Sequence, residues 1–577
     1  MSKKEVNFDA LVPFRDRKFV PADVDMTSPD QVCRLYEQLI AREISSAAEL
    51  EQLLLDRSEL ESALYEKFSA LRILMTCQTD DKTRADAYQH MVKNVQPAIS
   101  PLGDKLDRKY LEADKIYPLD AERFKQYKMA IQTDVELFRE ENIELSTQES
   151  LLGQEYQTLS GAMTVEFDGQ EKTLPMMSKY FQVADRSVRE QAWKLVAQRR
   201  GQDADKIDEI FDKLRVLRTK ISANAGFDNY RDYMFKSKHR FDYTVKDCKD
   251  YHDAVEKLLV PLQAKIFEKR KEQMGLDKLR PWDIGCDPLG RDPLKPFEEV
   301  EEFQTGAQKM FQQVDPELGA QFQEMIDTGM LDLASRKGKA PGGYQSSLSE
   351  ARKPFIFMNA VGSDNDLRTL LHEGGHAFHS YAAAEEDLLA YRHAAMEYCE
   401  VASMSMELLA APYLGEFYSE EDMKRSRYGH LEGIVNILIW VAIVDSYQHW
   451  LYENPDHTKE QRTEAWLKIR KRFGSEQLDW QGLEKEHELM WHRQLHIFLY
   501  PFYYIEYGIA QLGALQIWLQ SKKDPAEALK NYRYSLSLGG SKGLAELFAA
   551  AKIKFDFSAA NIKPLSEAVS EELEKMS

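Results

Sequence analysis

Cysteine is scarce in this 577-residue chain. Its five cysteines, Cys33, Cys77, Cys248, Cys286 and Cys399, are widely spread, odd in number and without a C-x-x-C pair, so neither a disulfide framework nor a thiolate zinc cluster is implied. A reducing, cytoplasmic compartment fits that usage. Long apolar runs are missing too: the most apolar stretch, Ile434 to Val444, is interrupted by Asn436 and followed at once by Asp445. It is too short to span a bilayer and reads as a buried helix, so no membrane partner is expected. Lys3 and Lys4 are not followed by an apolar segment, and no signal peptide is expected. Positive charge is in deficit, and the formal net charge of −20 argues against a nucleic-acid partner. No Pro/Gly/Ser-rich linker and no internal repeat divides the chain, which predicts lobes that share packing.

What fills the chain is helical periodicity. From Pro29 to about Ser160 apolar residues recur at three- and four-residue steps, as in Leu35, Leu39 and Ile40, then Leu50, Leu53 and Leu54, with Pro97, Pro101 and Pro118 as expected breaks. Thr164 to Leu174 reads as a hairpin around Asp168-Gly169. Helical patterns then run to about Met274. Pro281 to Pro296, with four prolines and two glycines, is the expected crossing between lobes. Gly338, Pro341, Gly342 and Gly343 form a loop, and Pro354 to Asn359 is a short β-like run that could pair with an extended peptide. The expected division is a helical lobe over 1–190, a helical region completing the lobes over 191–330, and a catalytic region over 331–577.

Chemistry concentrates in Leu370-Leu371-His372-Glu373-Gly374-Gly375-His376-Ala377-Phe378-His379. Two histidines four residues apart share one helical face and can reach one metal ion, with the Glu373 carboxylate beside the metal-bound water. Ser363 to Asp366 supplies capping residues for that helix. Gly374 and Gly375 together cost roughly 2 kcal/mol of helix propensity, which points to a need for space beside the metal or substrate. His379, seven residues after His372, is expected to support the ligands or face substrate. A catalytic zinc needs a third protein ligand. Glu397, Glu400 and Glu407 share a face of the next acidic helix, and spacing does not choose among them. Farther on, His496 to Gly508 gathers one histidine and four tyrosines; core packing is the bland reading, but such groups are also the donors an oxyanion needs. Tyr500, Tyr504 and Tyr507 have the spacing of one helical face.

His372-Glu373-Gly374-Gly375-His376 followed by Glu400-Val401-Ala402-Ser403 resembles the oligoendopeptidase F and thimet oligopeptidase family of zinc metallopeptidases. Lys339 to Tyr344, Pro354 to Asn359, the His496 to Tyr507 segment and Leu536 to Ser541 are similar to further segments of that family. The resemblance implies a mainly α, two-lobed peptidase enclosing a deep channel, with a small β-sheet next to the motif helix. It also implies one zinc ion per chain, held by His372, His376 and Glu400. Glu373 would be the general base, and His496 and Tyr507 catalytic donors. Gly342, Gly343, Phe357, Tyr500, Tyr503 and Tyr504 would bind substrate, Tyr503 competing with Tyr504 for one role. Pro501 stands where the family places its first tyrosine after the histidine. The implied function is hydrolysis of short unfolded oligopeptides by a zinc-bound water activated by Glu373. A zinc exopeptidase, or a helical peptide-binding protein with a non-catalytic metal site, are the alternatives.

Overall fold

The apolar steps that begin at Leu35 close into the helices Pro29–Ala41 and Ala47–Cys77, whose buried leucines share a core with Leu106, Tyr110 and Ile131. Ser46 starts the longer helix by accepting from the Glu49 amide. Of the prolines expected to break this region, Pro97 lies in a continuous helical run from Lys82 to Ile116, just after a wider π-helical turn over Met91–Val95. Pro101 lies inside that helix, and only Pro118 follows its end.

In the computed structural model, which describes residues 7–576, the chain separates into two compact units, each assembled from three segments. The first comprises Met1–Glu136, Lys295–Met423 and Gly513–Phe555; the second comprises Leu137–Leu294, Lys424–Leu512 and Asp556–Ser577. These boundaries differ from the contiguous division at 190 and 330. One of them, 294–295, falls inside the proline-rich stretch 281–296.

The second unit carries the hairpin of β1 (Thr164–Phe167) and β2 (Gln170–Thr173), turned at Asp168 and Gly169 with φ of 57° and 68°. Positive φ at both positions is the signature of a type I′ turn. It also carries nearly all of the helix Glu420–Glu453, which by length and composition alone could cross a membrane. Its apolar run is spent on packing: Leu438, Val441, Ala442 and Val444 are all buried.

The first unit carries a three-stranded sheet in the order β3-β5-β4. β3 (Leu331–Ala334) runs parallel to β5 (Lys353–Ala360), and β4 (Tyr344–Leu348) runs antiparallel to it, with Gln345 opposite Ile356. The Pro354 to Asn359 run is therefore the central strand, already bonded along both edges. β3 and β4 are both outer strands, and β4 is the less buried of the two, so the expected pairing with a peptide moves from β5 to β4. Phe355, Ile356 and Phe357 pack inward, and the helix Asp364–Ala382 lies against the sheet.

Candidate metal centre

The helix Asp364–Ala382 begins with a reciprocal cap: the Asp366 amide donates to Ser363 Oγ, and the Ser363 amide donates to Asp366 Oδ2 at 2.8 Å. Leu367, Leu370, Leu371 and Phe378 are its buried face. His372 and His376 lie one turn apart with their rings edge to face, centroids 5.0 Å from each other.

The neighbouring helix Met396–Ala410 presents Glu400 to both histidines. Its Oε2 lies 3.3 Å from His372 Nε2 and 3.7 Å from His376 Nε2. Ligands at about 2.0–2.2 Å from a tetrahedral zinc stand about 3.3–3.5 Å from one another, so this set fits the ion. The second nitrogen of His372, Nδ1, is 2.8 Å from Glu407 Oε1, which fixes the tautomer that leaves Nε2 free to ligate. Glu407, one of three carboxylates whose spacing allows direct ligation, instead contacts the Nδ1 side of His372. The signal was present in the sequence, since Glu407 follows Glu400 by two helical turns. Glu397 is buried and lies outside the His372, His376 and Glu400 cluster.

The electrostatics agree with the geometry. Burial alone would raise the Glu400 carboxyl, but contact with His372 and His376 prevails and holds it at about 2. Burial keeps His376 neutral, at about 4, with its lone pair available. For His372 burial is the largest influence and acts downward, yet Glu400 and Glu407 together raise it well above its ordinary value. A cage that draws a proton onto a buried imidazole is one that accepts a cation. Glu373, only 7% exposed, is pushed up to about 7, chiefly by burial, against the opposing effect of His372 and an N–H bond from the Gln345 backbone.

The glycines have a different cause from the one spacing suggests. A Cβ on Gly375 would lie 2.6 Å from Ala402 O and Ser403 Cα, so the glycine lets the two ligand helices touch backbone to backbone. A Cβ on Gly374 would meet the Phe311 ring at 2.7 Å. Both serve helix packing, not clearance beside the metal. His379 is 5% exposed, its Nε2 has no hydrogen-bond partner among the described residues, and its ring lies against Tyr398. It is a core residue and does not face substrate.

β4 borders a cavity of about 740 Å³ inside the first unit, lined by Gln345, Ser346 and Ser347 of the strand and by Leu64, Phe68 and Ile99. Gly342, with φ of 92°, and Gly343 lead the chain into β4. Phe357 is a correction: it is fully buried on the central strand, stacked on Tyr344 with centroids 4.8 Å apart, and is not available to substrate.

His496 and the tyrosines form a cluster of their own in the second unit, with the rings of Tyr500, Tyr503, Tyr504 and Tyr507 at 6.2, 5.8, 4.8 and 5.9 Å from the imidazole. Gln494 donates to His496 Nδ1 at 2.8 Å and accepts from Trp440 Nε1 at 2.9 Å. Burial, aided by the charge of Lys238, lowers His496 to about 4, so it is neutral at ordinary pH. The single helical face expected for Tyr500, Tyr504 and Tyr507 does not exist. One helix ends at Leu499, the next begins at Ile505, and Phe502 between them has φ of 62°. Tyr504 is buried, whereas Tyr503 and Tyr507 are half-buried and Tyr500 is exposed.

Comparison with known proteins places these features in a family. The model of peptidase family M3 matches residues 179–567. Oligopeptidase PepF of Bacillus subtilis is 24% identical over 465 residues, which are 75% of this chain and 66% of that relative. Among solved structures, PZ peptidase A with an inhibitor superposes with a TM-score of 0.87 at 27% identity, covering 97% of this chain and 99% of the other. An oligoendopeptidase F crystal structure superposes with a TM-score of 0.86 at 27% identity, covering 99% of both chains. The family model spans both the ligand helices and the His496 to Tyr507 segment, and the chain belongs to peptidase family M3.

Proposed function

We propose that this chain is a zinc-dependent endopeptidase that hydrolyses short unfolded oligopeptides in the cytoplasm. The observation that carries the reading is the convergence of His372, His376 and Glu400 within ligand distance of one another, with Glu373 buried alongside. His372, His376 and Glu400 would hold one zinc ion, which when bound lowers the pKa of a water molecule and polarises a carbonyl.

Glu373 takes the proton from the attacking water and returns it to the leaving amine. A buried carboxylate next to the ligating His372 is placed for both halves of that task. The outer edge of β4 holds the substrate backbone in extended form, which binds many sequences without reading their side chains. Tyr507 and His496 donate hydrogen bonds to the oxyanion, and a neutral His496 donates without competing for the water's proton. Tyr500 and Tyr503 are the tyrosines available to contact substrate side chains.

Glu373→Gln tests the base: the variant should keep its zinc, measured by elemental analysis, and lose nearly all peptide hydrolysis. Substantial turnover by it would remove Glu373 from the mechanism. In the same assay Tyr507→Phe should lower kcat by more than it raises KM, since its bond forms mainly in the transition state. The reverse pattern would make Tyr507 a substrate-binding residue.

A further inference from the structure

Away from the ligand helices, two four-residue steps meet in the core of the second unit. Cys248 and His252 lie near the start of the helix Val245–Met274, and Asp445 and His449 lie on the helix Glu420–Glu453. Each spacing sets its pair on one helical face. A ligand atom of Cys248, one of Asp445 and one of His449 all fall within 4.8 Å of one another. None of the four side chains reaches solvent: Cys248 and Asp445 are 0% exposed, His252 and His449 3%. The rings of Phe235 and Phe502 pack against His449 and make the surroundings apolar.

The bland reading is a carboxylate that pins two helices by accepting from histidine, and it accounts for His252, whose Nε2 is 2.8 Å from Asp445 Oδ2. It does not account for the rest. His449 Nε2 is 3.2 Å from the same oxygen without the alignment of a hydrogen bond, and neither His449 nitrogen nor Asp445 Oδ1 has a hydrogen-bond partner among the described residues. Buried polar atoms without a hydrogen bond, such as His449 Nδ1 and Asp445 Oδ1, are what protein interiors avoid.

We propose that Cys248, Asp445 and His449 form a second metal site, for zinc or a divalent ion of similar softness, separate from the one on the ligand helices. A thiolate, an imidazole and a carboxylate are the zinc donor set, and an ion would take one ligand atom from each of the three residues. His252 then acts as the partner that orients the ligating carboxylate. Burial on every side makes the site structural: it ties the helix Val245–Met274 to the helix Glu420–Glu453. Ligation takes the thiol proton from Cys248 and releases it to solvent, so uptake is weaker in acid.

Cobalt(II) reports the two sites separately, because only the second offers a thiolate. The full-length protein loaded with cobalt should bind two equivalents and show a near-ultraviolet sulfur-to-cobalt charge-transfer band. Cys248→Ser should lose the band and one equivalent while retaining peptide hydrolysis. His376→Ala should keep the band and lose the other equivalent. Should Cys248→Ser fail to fold, the wild type and His376→Ala still decide. Saturation at one equivalent without the band in wild type, or loss of the band with His376→Ala, would overturn the proposal.

Discussion

His372 is held from two sides, its Nε2 by the approach of Glu400 and its Nδ1 by Glu407. The second contact determines how well the first can serve, because it sets the tautomer and the ring plane. Removing an outer partner of this kind typically costs 10–100-fold in metal affinity. Glu407→Ala should therefore weaken zinc binding by about that factor in a chelator competition while leaving the fold intact; unchanged affinity would show that Glu407 does not orient the ligand. The spacing of Glu397, Glu400 and Glu407 put all three on one face but left the choice open, because the rotation of one helix against its neighbour is a tertiary fact. Phe357 and Tyr504 illustrate a second gap. Their residue types suit substrate contact, and only the strand order and the chain reversal at Phe502 show that both are buried.

At the level of elements, the depth at which the two ligand helices meet is set by Gly375. Its absent Cβ would strike the Ala402 carbonyl and the Ser403 Cα, which are backbone atoms adjoining the turn that bears Glu400. Gly374 faces only the far edge of the Phe311 ring, a side-chain neighbour and not backbone. Alanine at 375 should then cost about 1–3 kcal/mol of stability and also weaken zinc, whereas alanine at 374 should cost less and leave zinc affinity alone. Denaturation together with metal titration of both variants checks this; equal effects on zinc would contradict it. The helices, the Asp168-Gly169 hairpin and the capped start of the motif helix were legible in the sequence because each depends on local rules of periodicity, turn and cap. The helical register assumed for Tyr500 to Tyr507 was not, since a non-glycine residue at positive φ gives no warning in composition.

For the molecule as a whole, the two units are built from interleaved segments, and one of their boundaries, 294–295, falls in the proline-rich stretch 281–296. Interleaving depends on tertiary contacts, so the units follow other boundaries than a contiguous division at 190 and 330. The helices bearing His372, His376 and Glu400 and the strand β4 all belong to the first unit, so its segment 295–423 carries the proposed metal ligands, the proposed base Glu373 and an outer strand together. In the proposed reading a site organised in this way would grip peptide backbone and need neither terminus of the substrate, which separates an endopeptidase from an exopeptidase. The measurement that tests this most directly is product analysis on an unfolded peptide acetylated at its N-terminus and amidated at its C-terminus, with and without a zinc chelator. The account predicts internal cleavage that stops with chelator and returns when zinc is restored. Failure to cleave the doubly blocked peptide with zinc present, or cleavage that survives complete removal of zinc, would contradict it.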